Sequence, residues 1–145
     1  WDEDDSTRGQ SFYNPTEVAQ LMCGVNDTKL YKAGSTNTDN GTVKTCYIQR
    51  TGMILGSYQA VTHVHAIIPR IEAAAGTVVT VQIGSQMTPQ DSVTWSPEYT
   101  FTVGTDNIIP CRVAGRLIAV KFSTNANAAW RLQSYDIKFT EGGIY

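Results

Sequence analysis

The chain has 145 residues, and only 17% of them are charged, 11 Lys and Arg against 13 Asp and Glu, for a formal charge of −2. That length lets one domain bury most of its apolar surface in a single core without a metal or disulfide, and the charged share lies well below the ~25% of an average domain. The basic residues are spread singly from Arg8 to Lys138, so no clustered phosphate track marks a nucleic-acid site.

In chain order, the acidic run Asp2-Glu3-Asp4-Asp5 comes first and reads as a solvated end, because it lacks the glycine-punctuated spacing of a calcium loop. The start at Trp1, with no methionine, points to a processed or excised piece of something longer. Pro15 to Met22 carries a helix signature, with Asn14 as N-cap and Glu17 at the capping-box position. Residues 1–27 are expected to be an irregular arm or lead-in, and residues 28–145 the folded domain. Lys29-Leu30-Tyr31-Lys32 is a short strand candidate, and Thr36 to Thr42 a long polar loop.

From Val43 onward the hydrophobic period is two. Val43 to Arg50 alternates, as does Val61 to Ile68, where Val64, Ala66 and Ile68 share a face. Thr77 to Ile83 sets Val79, Val81 and Ile83 on one side, and Tyr99 to Val103 is apolar at odd positions. Ile71 to Ala75 is the second short helix candidate. Gly115 to Phe139 predicts a hairpin joined by an Asn/Ala turn. Its first strand places Arg116, Ile118, Val120 and Phe122 together; its second sets Trp130, Leu132, Ser134 and Asp136 against Arg131, Gln133, Tyr135, Ile137 and Phe139. Apolar groups on both faces suggest a central hairpin covered on its outer side by a neighbour.

Turn chemistry separates these runs at Asp39-Asn40-Gly41, Thr51-Gly52, Leu55-Gly56-Ser57, Ala75-Gly76, Gly84-Ser85, Thr88 to Asp91 and Gly104 to Asn107. Pro69 and Pro110 mark edges or strand ends. The expected fold is all-β, an antiparallel β-sandwich, jelly-roll-like, of about eight to ten strands with an irregular N-terminal arm. No charged leader followed by an apolar stretch occurs, nor any apolar run near about 18 residues, so neither a signal peptide nor a membrane span is expected.

Groups able to do chemistry are few. His63 and His65 lie two apart in a strand and project to one face, the geometry of a His-x-His metal pair, but no motif supplies a third ligand. Gly56-Ser57 and Gly84-Ser85 lack the strained elbow of a serine nucleophile. No glycine-rich phosphate loop is present. Cys23, Cys46 and Cys111 cannot all pair within the chain and stand in apolar or alternating segments, so buried free thiols and a reducing compartment are expected. No catalytic, cofactor-binding or metal residue is assigned. The aromatics Trp95, Tyr99, Trp130 and Tyr135 could form a stacking platform for a sugar ring, although aromatics near strand ends more often plug a core, the role expected of Trp130.

An ordered set of short motifs runs through the rest of the chain. It comprises Tyr47-Ile48-Gln49-Arg50-Thr51-Gly52, Pro69-Arg70-Ile71, Gly76-Thr77-Val78, Ile83-Gly84-Ser85-Gln86, Thr94-Trp95-Ser96, Gly115-Arg116-Leu117-Ile118-Ala119, Trp130-Arg131-Leu132-Gln133-Ser134-Tyr135-Asp136-Ile137 and Gly142-Gly143. This resembles the C-terminal β-domain of tail hub and nozzle proteins of short-tailed bacteriophages, over about residues 28–145. Ser134 stands where that pattern has glycine, and Ile144-Tyr145 where it has arginine. The resemblance implies a non-enzymatic virion structural domain, assembled in the host cytoplasm into the tail as a homo-oligomer with other tail proteins. The alternative of another class is a carbohydrate-binding module built on the four aromatics.

Overall fold

Alternating apolar residues in runs of four to eight pay out as strands, and the computed structural model describes residues 42–144, with backbone alone at 22–24, 30–32, 38–39 and 144. Twelve strands are present among the described residues. They are β1 (Met22–Gly24), β2 (Leu30–Lys32), β3 (Thr38–Asp39), β4 (Thr42–Val43), β5 (Cys46–Met53), β6 (Ala60–Ala73), β7 (Val78–Gln86), β8 (Thr94–Trp95), β9 (Tyr99–Thr102), β10 (Ile109–Gly115), β11 (Leu117–Thr124) and β12 (Trp130–Ile144). The chain divides into two units, Trp1–Thr36 and Asn37–Tyr145. The helix expected at Pro15 to Met22 lies outside the described residues, apart from Met22, which opens β1. In the first unit β1 pairs antiparallel with β2.

In the second unit β3 pairs with β4, and the remaining strands form an antiparallel β-sandwich. One sheet has three strands in the order β10-β6-β12; the other runs β5-β11-β7, with β8 and β9 both on the far edge of β7. From β5 onward the chain changes sheet at every step except β7 through β9, the alternation of a jelly roll. Between the sheets lie Val64, Ile67, Ile109 and Cys111 from one side and Met53, Val79, Val81, Ile83, Phe101, Ile118, Val120 and Phe122 from the other, all buried.

Several local expectations are corrected. Ile71 to Ala75 is not helical: β6 continues to Ala73, because β12 supplies ladder partners as far as Trp130. Gly115 to Phe139 is not a hairpin. β11 pairs with β5 and β7, whereas β12 crosses to the other sheet and pairs with β6. The crossing is anchored at buried Thr124, whose hydroxyl donates to Val78 O at 2.8 Å and accepts from Ala126 N–H at 3.1 Å.

The two apolar faces of the predicted hairpin have separate causes. In β11 the outer residues Leu117 and Ala119 are buried by the chain's own return, since Trp95 pairs with Gly84, itself opposite Ala119. A methyl group on Gly84 would overlap Val93 and sit 3.0 Å from Trp95 Cε3, so the close approach requires glycine. In β12 an inserted residue between Leu132 and Ser134 reverses the alternation. Trp130 and Leu132 before this bulge, and Tyr135 and Ile137 after it, therefore all pack against the same core.

Thr51-Gly52 is likewise a bulge within β5 rather than a turn between strands. Two residues face Ala119 alone, Gly52 takes φ +68°, and Met53 is delivered into the core. Pro110 stands on edge strand β10. Pro69 is interior to β6, but β10 pairs only as far as Ile67, so beyond that point one side of β6 needs no donor. Substituting Gly52 by Val should lower stability by about 1–2 kcal/mol through the left-handed conformation alone, with no loss of contact, measured as a shift in the urea midpoint at unchanged slope.

Candidate functional site

The sandwich is open along one side. A groove of about 670 Å³ runs between the end of β5 and the middle of β12, lined by Arg50 to Leu55 and by Ser134, Tyr135, Asp136, Ile137 and Phe139. Its inner wall is tied together: the Tyr135 hydroxyl donates to Met53 Sδ at 3.3 Å, and the Tyr135 ring meets Phe122 with centroids 5.4 Å apart and planes inclined by 46°. Of the exposed large apolar side chains, Ile54 (52%) and Phe139 (37%) line it, and Ile48 (47%) projects to the same side.

β5 itself departs from expectation. Residues 46–52 are exposed on both faces, although the alternation predicts a half-buried strand, because β5 lies at the edge of the five-stranded sheet. Tyr47 is 63% exposed, with the Lys121 ammonium 5.3 Å from its ring centroid. The same placement corrects the expected burial of Cys46, an exposed free thiol. Cys111, by contrast, is buried, and burial pushes its pKa up. The side chain of Cys23 lies outside the described residues.

The outer face of the three-stranded sheet is a ladder of polar cross-strand pairs. Arg70 Nη2 bonds Asp136 Oδ2 at 2.7 Å and Arg70 Nη1 reaches Ser134 Oγ at 3.0 Å. Arg131 Nε and Gln133 Nε2 both donate to Glu72 Oε2 at 3.1 Å, and these hydrogen bonds, then the guanidinium charge, hold the Glu72 carboxyl below the usual range. All of these groups are solvent-exposed, which makes the ladder a solvated face and not a buried acid–base pair.

His63 and His65 do share this outer face, as expected from their spacing. His65 Nε2 is engaged with Thr140 Oγ1 at 2.8 Å, and beside the pair stands Arg112, with no carboxylate lining the hollow. Among the described residues no cluster of three His, Cys, Asp or Glu forms.

The four aromatics are distributed rather than gathered. Tyr99, Trp130 and Tyr135 are partly buried and pack against the core. Trp95 lies over Gly84 on the outside of the other sheet. The groove beside β12 was not foreseen from the sequence; its only local signal is the interruption of the β5 alternation at Thr51-Gly52-Met53.

Two consequences are measurable. Trp130→Ser should cost about 2 kcal/mol of stability, the transfer of a partly buried indole, as read by denaturant titration. In a Cys23→Ser background, iodoacetamide should label Cys46 within minutes and leave Cys111 unmodified until denaturant is added, as counted by intact mass. No family model matches the chain, and no curated protein matches it.

Proposed function

We propose that this chain is a non-enzymatic virion structural domain of a bacteriophage tail, of hub or nozzle type, which acts by assembling with neighbouring copies and other tail proteins. The observation that carries this reading is the open side of the sandwich. There Ile48, Ile54 and Phe139 expose apolar surface around a groove whose one lining carboxylate, Asp136, is already paired with Arg70. Exposed apolar groups beside a groove and a free strand edge suit docking on other subunits better than turnover of a substrate. The ordered motifs from Tyr47 to Gly143 support the same assignment.

The test is sedimentation of the purified chain, alone and mixed with candidate tail proteins. Association is expected, and the double substitution Ile48→Glu, Ile54→Glu should weaken it at least tenfold while leaving the thermal midpoint unchanged, since both side chains are exposed. A chain that stays monomeric and unpartnered, and whose tryptophan emission shifts with a polysaccharide in a manner lost in Trp95→Ala, would replace this function with that of a sugar-binding module.

A further inference from the structure

The two sheets are unequal, and the inequality is located. A jelly roll pairs two four-stranded sheets; here β5, β11, β7 and β9 supply one, but the other stops at three, with β12 at its edge. Beyond β12 a strand position is vacant among the described residues. Cys46, Ile48 and Arg50 pair with Thr124, Phe122 and Val120, whose side chains are buried, so these three β5 residues project inward, over that gap, and are exposed there. The groove bounded by Met53, Tyr135 and Ile137 occupies the same place.

Along its free edge β12 turns alternate N–H and C=O groups away from β6. Ser134 to Glu141 contains no inserted residue of its own, being bracketed by the bulge after Leu132 and another between Glu141 and Ile144; the register shift between Lys138 and Phe139 comes from an extra residue on β6, at His65. Within that span the side chains mirror one another about Ile137: Asp136 against Lys138, Tyr135 against Phe139, Ser134 against Thr140. The aromatic members face the groove, whereas Asp136 and Thr140 bond to Arg70 and His65 on the outer face.

We propose that this gap is a docking site for an extended segment of a partner polypeptide, added antiparallel to β12 as the missing strand. The proposal rests on the assembly function above and specifies the partner's chemistry. Alternate apolar residues stand opposite Tyr135, Ile137 and Phe139, a basic residue opposite Asp136 and an acidic one opposite Lys138. The occupant is a free segment of another polypeptide: protection of the outward amides of residues 134–141 before any peptide is added would place β12 of a second copy there if it rises with protein concentration, or a segment of residues 1–41 of the same chain if it does not, and either result overturns the proposal.

Because of its mirror pattern, a labelled peptide with the sequence of residues 134–141 is a suitable probe, and a second peptide exchanges its Asp and Lys. Fluorescence anisotropy with the 145-residue chain should show the first peptide binding roughly tenfold more tightly than the second. In the Asp136→Lys, Lys138→Asp protein that order should reverse, and parallel pairing would give the opposite preference in both proteins. Amide exchange should slow over residues 134–141 on binding of the matched peptide. Absence of binding at millimolar peptide, equal affinity for both peptides, or protection confined to another strand overturns the proposal. If the double variant misfolds by circular dichroism, the two peptides against the unaltered chain still decide it. Self-association that persists while the peptides fail would leave the assembly function standing and remove only this site.

Discussion

Phe122 closing on Tyr135 ties together two strands that follow one another in the chain yet lie in different sheets. The remainder of the sandwich depends on that crossing. Had β11 and β12 formed a local hairpin, β6 would lose its longest ladder and β11 would lose either β5 or β7. Apolar burial favours the crossing because it faces two sheets inward instead of leaving one sheet with a wet side. Thr124 makes the exit possible by replacing, with its hydroxyl, the backbone partners that the turn gives up.

Bulges do most of the adjustment that this topology demands. At Gly52 the inserted residue rotates Met53 into the core, where Tyr135 reaches it. Near Gln133 another brings Trp130, Leu132, Tyr135 and Ile137 to one side. A third, between Pro110 and Val113 on β10, sits opposite the β6 stretch that carries His65. Bulges increase local twist and interrupt pairing. They leave β12 with one stretch of free edge that has no inserted residue of its own, and its outer face carries charge pairs that blunt indiscriminate edge-to-edge association.

The division of labour between the two sheets bears on assembly. The outer face of the three-stranded sheet is a solvated charge ladder, and the outer face of the other is capped by Trp95 over Gly84. Of the exposed apolar groups, Ile48, Ile54 and Phe139 stand at the side where β5 overhangs β12. Under the proposed assembly function contacts would form at that edge, where main-chain hydrogen bonding adds geometric specificity to apolar burial.

Much of this was written locally in the sequence. Period-two alternation located the inner residues of β7 and of β9 with the position just after it, since Val79, Val81, Ile83, Phe101 and Val103 are all buried, and glycine marked the real turns at Gly76 and Gly104, both at positive φ. Period-two runs separated by turn residues, with scarce helix signals, determined the all-β class. Only the tertiary structure decided which strands pair, because a strand's pattern says that one face is buried but not against which partner. It also decided face membership beyond a bulge, since one inserted residue inverts a period of two, and the exposure of Cys46 and Ile48, since an overhanging edge strand alternates just as a covered one does. The groove beside β12 belongs wholly to this second class: it exists because two sheets of unequal width meet, and no residue in either sheet records the width of the other.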